Sequence, residues 1–179
     1  SRCIHTKMKH EAVAIGYLER FVADWARSHG SADEEKTAAN GIKVAVVGSG
    51  PAGLAFAGDM AKRGYSVTVY EALHEIGGVL KYGIPEFRLP NAIVDTEIDG
   101  LRRLGVEFES NCIVGKTLSY DDLHAMGFKG IFVASGAGLP RFMNIPGENL
   151  NGVMSSNEFL TRVNLMGAAR QDEDTPVLH

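Results

Sequence analysis

The residues whose types and spacing can do chemistry are Gly48-Ser49-Gly50-Pro51-Ala52-Gly53 and, farther on, Glu71. Gly48 permits a tight strand-to-helix turn, where φ can be positive. Gly50 has no side chain, so a pyrophosphate can approach the backbone, and Gly53 lets the following helix pack close to the strands. The start of that helix offers unpaired N–H groups and a partial positive charge to phosphate oxygens. Glu71 stands about 20 residues on, where a carboxylate accepts ribose hydroxyls. The chemistry is dinucleotide binding. A glycine-rich turn built only for packing is the alternative.

The elements that must position these residues are legible around them. Ile42-Lys43-Val44-Ala45-Val46-Val47 is a short, β-branched apolar run that reads as a buried parallel strand. Leu54 to Arg63 reads as a helix with small residues, Ala57 among them, on one face. Tyr65 to Tyr70 reads as a second strand closing on Glu71. Strand, helix, strand and terminal carboxylate together form a βαβ unit of about 30 residues. This context favours nucleotide binding over the packing turn.

A second informative stretch follows. Gly77-Gly78 comes six residues after Glu71, close enough for its backbone to reach the same pyrophosphate. The run from Lys81 to Pro90 is too long and irregular for a tight turn, and loops of this length are usually functional. Arg88 lies between Phe87 and Leu89. Its guanidinium suits either a phosphate or flavin contact, or a structural ion pair with Glu86 or Asp95. Both readings stand at this point.

Elsewhere the pattern is structural. Val13, Ile15, Leu18, Phe21, Val22 and Trp25 recur at helical spacing, giving a docking stripe that ends at His29-Gly30. Asn91 is placed to cap a helix from Ala92 to Leu104, with Gly105 as its stop. Val106 to Glu109 and Cys112 to Val114 read as short strands, with Cys112 as a small buried residue. A short helix begins near Ser119 and carries a surface His124. Gly130 to Gly136 reads as a third buried strand whose small carboxyl end, Ala134-Ser135-Gly136, suits a ligand across the sheet edge. Gly136-Ala137-Gly138 is not a second fingerprint, because Pro140 and Arg141 follow and no helix pattern does. Ser155 and Glu158 have capping-box spacing before a helix running to about Gly167, and residues 168–179 read as a fraying end.

Totals narrow the class. The 179 residues suffice for one domain with an appendage, and 45% hydrophobic with 22% charged residues is ordinary for a globular protein. A net charge of −4 argues against a nucleic-acid partner, and no apolar run approaches a membrane span. Two cysteines, Cys3 and Cys112, cannot staple a domain of this size, which makes a reducing cytoplasm the default. Cys3, His5 and His10 match no closed zinc pattern, so a solvated terminus is the favoured reading there.

With both glycine stretches read, a family resemblance is visible. Gly48, Gly50, Gly53, Ala57 and Gly64, followed by Glu71, look like the FAD-binding form of the fingerprint. Ala134-Ser135-Gly136 is similar to the second FAD signature, with Ser in place of the usual Thr. Gly77-Gly78-Val79-Leu80-Lys81-Tyr82-Gly83-Ile84-Pro85-Glu86-Phe87-Arg88-Leu89-Pro90 resembles the loop of the glutamate synthase small (beta) subunit family, whose flavin module recurs in dihydropyrimidine dehydrogenase. Val13 to Phe21 and Ser156 to Leu160 also look like its segments.

The resemblance implies an α/β, Rossmann-like FAD-binding domain over residues 41–179, incomplete at its C-terminus. It implies that residues 1–40 are a helical remnant of an iron–sulfur region plus a linker. In this family NADPH gives hydride to FAD, and electrons pass singly to [4Fe–4S] clusters. The electrons then reach a large glutamate synthase-type subunit or a ferredoxin-like acceptor. Carried over, Gly48, Gly50, Pro51, Ala52 and Gly53 hold the pyrophosphate, and Glu71 the adenosine ribose. Gly77, Gly78, Leu80 and Arg88 lie along the pyrophosphate and flavin, Val114 meets adenine, and Gly136 belongs to the second signature. Cys3 falls where the last cysteine of the family's cluster-binding region would stand, though a cluster needs four protein ligands. No acid–base residue is assigned, since the hard chemistry belongs to the cofactor. The alternative is a non-catalytic FAD-binding or assembly module without its own NAD(P)H domain.

Overall fold

The computed structural model describes residues 3–30, 37–170 and 177. The chain divides into two compact units, residues 1–35 and 36–179. The first contains α1 (Ile4–Lys7) and α2 (Ile15–His29), the latter stopped at Gly30, whose φ is +76°. The helical spacing of the apolar stripe is realised in α2, but Ile15, Leu18, Phe21, Val22 and Trp25 are all exposed. Trp25 stacks on His29 at 4.4 Å. Arg20 and Arg27 both bind the Asp24 carboxylate, Arg20 first among the causes that hold its pKa below the usual range.

The second unit runs β1 (Lys43–Val47), α3 (Pro51–Ala61), β2 (Ser66–Tyr70), α4 (Val79–Tyr82), α5 (Asn91–Arg103), β3 (Glu107–Glu109), α6 (Tyr120–Ala125), β4 (Phe128–Val133) and α7 (Ser156–Asn164). Its four strands are parallel, in the order β3-β2-β1-β4. Parallel strands require crossovers, and the chain supplies helices for them. Alternation along β1 sends Val46 to one face, with Ala57, Ala61, Val67 and Val69, and Ala45 to the other, with Tyr70, Leu123 and Phe128. The first cluster takes α3, together with Leu101 and Leu104 at the end of α5. A third cluster, Ile76, Val94 and Ile98, packs α5 under the loop that follows β2. The close helix–sheet approach expected of Gly53 is real. A Cβ there would stand 2.0 Å from the Gly48 carbonyl oxygen, and one at Gly48 would stand 2.4 Å from that of Ala134.

Several expectations need correction. Asn91 is the first residue of α5, not its cap. Pro90 holds the extended cap position, and the Glu86 carboxylate accepts the Asn91 N–H at 3.0 Å. Cys112 to Val114 form no strand; they lead into a turn at residues 115–117 closed by an isolated bridge from Val114 to Leu118, and Cys112 is only half-buried. The strand expected at residues 130–136 starts two residues earlier and ends at Val133. It is an edge strand, half-exposed, with Val133 68% accessible, because among the described residues only β1 flanks it. The capping pair before α7 is half formed. Ser155 Oγ accepts the Glu158 N–H at 3.1 Å, but the Glu158 carboxylate turns to Arg162 instead. A complete box stands at Ser119 and Asp122, where the Ser119 hydroxyl and N–H hold the Asp122 pKa low. The helix expected to reach Gly167 ends at Asn164, and of the segment 168–179 only 168–170 and 177 fall within the described residues.

Candidate functional site: a nucleotide cradle at the carboxyl edge of the sheet

β1 and β4 end in register, Val47 beside Val133, and both chains then turn away from the sheet. Such a point, where neighbouring strands part at their carboxyl ends, leaves a crevice in doubly wound sheets. Here it opens into a cavity of about 1190 Å³. That exceeds the roughly 300–1,000 Å³ usual for a drug-sized ligand.

Each wall has a local cause. The first is the turn after β1, where Gly48, Gly50, Pro51 and Ala52 line the cavity. Gly50 is the extended N-cap of α3 and Pro51 its first residue, so the free N–H groups of the first turn lie at this edge. An added Cβ at Gly50 would meet nothing within 4 Å, which leaves the backbone open to a ligand. The second wall is the end of β2, with Tyr70, Glu71, Ala72 and Leu73. Burial first, then nearby Cys112, Glu109 and Glu107, push the Tyr70 phenol above its ordinary pKa. Cys112 and Val114 form the third wall, tied to the second by the Cys112 N–H to the Glu71 carbonyl at 2.8 Å. The fourth is Gly78, Val79, Tyr82 and Gly83, and the fifth the exit of β4 from Ala134 to Gly138.

A sixth wall was not assigned from sequence. The α7 residues Asn157, Thr161 and Arg162 face the cavity from the far side. Asn157 Nδ2 donates to the Gly138 carbonyl at 2.8 Å and Asn164 Nδ2 to the Tyr82 carbonyl at 2.9 Å. The helix is therefore pinned to two other walls. The sequence signalled the helix through the Ser155/Glu158 spacing and the family-like run Ser156 to Leu160, but neither pointed to the cavity.

Glu71 is 6% accessible and held by three donors. The Ser49 N–H and hydroxyl reach Oε2 at 2.9 and 2.5 Å, and the Leu73 N–H reaches Oε1 at 2.9 Å. Gly48, Gly50, Pro51, Ala52, Glu71, Gly78, Val114 and Gly136 thus share one cavity wall system. Gly53 and Gly77 stand buried behind it. Leu80 turns its side chain into the cluster of Ile76, Val94 and Ile98, because the one-turn helix α4 presents Val79 to the cavity instead. Arg88 is exposed and outside the lining. It forms neither expected ion pair. Glu86 is taken by the Asn91 N–H, and Asp95 binds Lys81 at 2.6 Å.

Lys81 is a residue that spacing did not single out. It is 7% accessible, with its ammonium between Asp95 and, at 3.3 Å, Glu75. Burial opposes its charge, and the Asp95 and Glu75 carboxylates outweigh that effect, leaving the pKa above the ordinary lysine value. The pair ties the fourth wall to α5.

Cys3, in the first unit, is half-buried, and the Val13 and His5 N–H groups lower its thiol pKa. The rings of His5 and His10 meet edge-on at 6.4 Å. Among the described residues no three His, Cys, Asp or Glu side chains are grouped to hold a metal, and no helix is long and apolar enough to cross a membrane.

Comparison with known proteins now decides the family. A model described as pyridine nucleotide-disulphide oxidoreductase matches residues 42–172, the stretch that builds all six walls. The chain belongs to this family. It is 44% identical over 124 residues to the glutamate synthase [NADPH] small chain of Mycobacterium tuberculosis, covering 69% of this chain and 25% of that one. Identity is 37% over 179 residues to the NADP(+)-dependent formate dehydrogenase subunit beta of Moorella thermoacetica, covering 87% and 25%. Among solved structures, FprA, a Mycobacterium tuberculosis oxidoreductase whose structure revealed a covalent modification of NADP+, superimposes with a TM-score of 0.58. Its identity is 25%, over 68% of this chain and 28% of that one. The chain spans about a quarter of the length of these curated relatives.

Proposed function

We propose that this chain binds FAD and serves as the flavin-holding part of an NAD(P)H-dependent oxidoreductase of the glutamate synthase small-subunit type. One observation carries the reading. A buried carboxylate, the open backbone at Gly50 and the start of α3 converge on a cavity of dinucleotide size at the carboxyl edge of a parallel sheet. The fit is chemical as well as spatial. Free N–H groups suit pyrophosphate, and Glu71 suits ribose.

Within this reading the Gly48–Gly53 turn holds the pyrophosphate, Glu71 the ribose, and Val114 the adenine edge. Gly78 and the α7 wall border the flavin end, and Gly136 closes the side nearest β4. Gly53, Gly77 and Leu80 support the cradle from behind. Arg88, exposed in the loop that follows α4, supplies a cation for the phosphate or flavin. Bound FAD supplies the hydride and single-electron chemistry between a nicotinamide nucleotide, NADPH by the family relation, and iron–sulfur acceptors. The chain's own groups position and exclude water. The acceptor is a large glutamate synthase-type subunit or a ferredoxin-like protein in the cytoplasm, and Cys3 belongs to an iron–sulfur region of the parent protein.

The test is direct. The purified chain should carry flavin absorption and release FAD on denaturation, identified by chromatography. Glu71→Ala should lower occupancy severalfold and Arg88→Ala less. A colourless protein that also rejects added FAD overturns the reading. NADPH-driven bleaching of bound flavin separates an electron-transferring enzyme from a module that only holds the cofactor.

A further inference from the structure

Ser49 enters the sequence only as the spacer between two fingerprint glycines, yet it is fully buried, at 0% accessibility. Its hydroxyl donates to Glu71 Oε2 at 2.5 Å and accepts the Gly77 N–H at 2.9 Å, while its own N–H donates to the same Oε2 at 2.9 Å. One hydroxyl therefore joins the turn after β1, the end of β2 and the paired-glycine loop. The loop sits hard against the turn there. A Cβ on Gly78 would come within 2.9 Å of the Gly50 Cα.

The acceptor count gives this node a consequence. A carboxylate oxygen has two lone pairs in its plane. Both on Oε2 are taken by Ser49, whereas Oε1 accepts, among the described residues, only the Leu73 N–H. That leaves Oε1 with a spare acceptor position on a residue that lines the cavity.

We infer that Ser49 is a positioning residue. Its hydroxyl fixes the Glu71 carboxylate so that Oε1 is the atom presented to a ribose hydroxyl, and it clamps Gly77-Gly78 beside the phosphate-binding turn. The inference rests on the nucleotide-binding reading proposed above, and its test separates the two.

The full chain is compared with Ser49→Ala, which removes the hydroxyl, and Ser49→Thr, which keeps it. Calorimetry measures FAD, ADP and 2′,3′-dideoxy-ADP, and hydrogen exchange follows the Gly77 amide without ligand. The original chain should prefer ADP over the dideoxy compound by roughly tenfold, the worth of one hydrogen bond to a charged group. Ser49→Ala should reduce that preference to roughly threefold or less and speed Gly77 exchange by at least about tenfold. Ser49→Thr should keep the preference even where it weakens both ligands alike. Should Ser49→Ala fail to fold, Ser49→Gly and Ser49→Thr provide the same contrast. An original chain that binds neither FAD nor ADP overturns the nucleotide reading and this inference with it. An unchanged ADP preference in Ser49→Ala, or unchanged Gly77 exchange, overturns the role of Ser49 alone.

Discussion

Replacing Glu71 tests whether its carboxylate is a structural hub as well as a ligand group. Three donors end on it, the Ser49 N–H, the Ser49 hydroxyl and the Leu73 N–H. A buried donor left without a partner costs about 1–3 kcal/mol. The lower end applies because Glu71 lines the cavity, where water can reach the freed donors. Glu71→Ala strands all three donors and should destabilise by about 3 kcal/mol, a large share of the roughly 5–15 kcal/mol that holds a domain together. Glu71→Gln keeps one acceptor oxygen. Turned toward Ser49, it retains both of those bonds and sets its amide against the Leu73 N–H, so about 1 kcal/mol should be lost. Urea unfolding of the ligand-free chain, followed by circular dichroism, measures both through the midpoint at unchanged slope. Loss of less than about 0.5 kcal/mol in Glu71→Ala, or equal losses in the two variants, would refute the three-donor account.

The glycines of the turn should separate by role. Gly53→Ala forces a Cβ to 2.0 Å from a backbone oxygen and should cost about 3 kcal/mol or more, measured by the same unfolding curves. Gly50→Ala meets nothing within 4 Å at a φ of −68°. It should leave stability within about 0.5 kcal/mol yet weaken FAD binding at least roughly tenfold, because the methyl occupies the pyrophosphate's approach. Equal FAD affinity in Gly50→Ala would remove the cradle's central feature. The Lys81 clamp should titrate. Its pKa is raised on folding, so its stabilisation is fully present below the unfolded lysine value of about 10.4 and is lost as pH rises through the higher folded value. The urea-midpoint gap between the original chain and Lys81→Met should therefore hold below the unfolded lysine value of about 10.4 and shrink as pH rises above it, and a constant gap would rule the ion pairs out as its source.

How much was legible follows from the range of each constraint. Strand β1, helix α3 and strand β2 were readable because their causes are local. A β-branched run, a small-residue face and glycines at fixed offsets each limit their own few residues of backbone. The same holds for the start of α6 near Ser119 and for the stop of α2 at Gly30. Where the readings failed, a residue outside the local pattern had intervened. Asn91 yielded the cap of α5 to Pro90 once Glu86 took its N–H, and the edge position of β4 exposed Val133. Leu80 and Arg88 share one loop with Gly78, yet packing sends the first into the core and leaves the second outside the cavity.

From the sequence by itself came the βαβ unit, the carboxylate at its end and the nucleotide chemistry those two imply. Only the tertiary structure decided what surrounds them. The strand order β3-β2-β1-β4 sets Ala134 against Gly48, the segment at Cys112 against Glu71, and α7 across the cavity. Ser49 shows the reason most plainly. Its partners lie 22 and 28 residues away, and a hydroxyl that joins three segments leaves no periodicity or motif in any one of them.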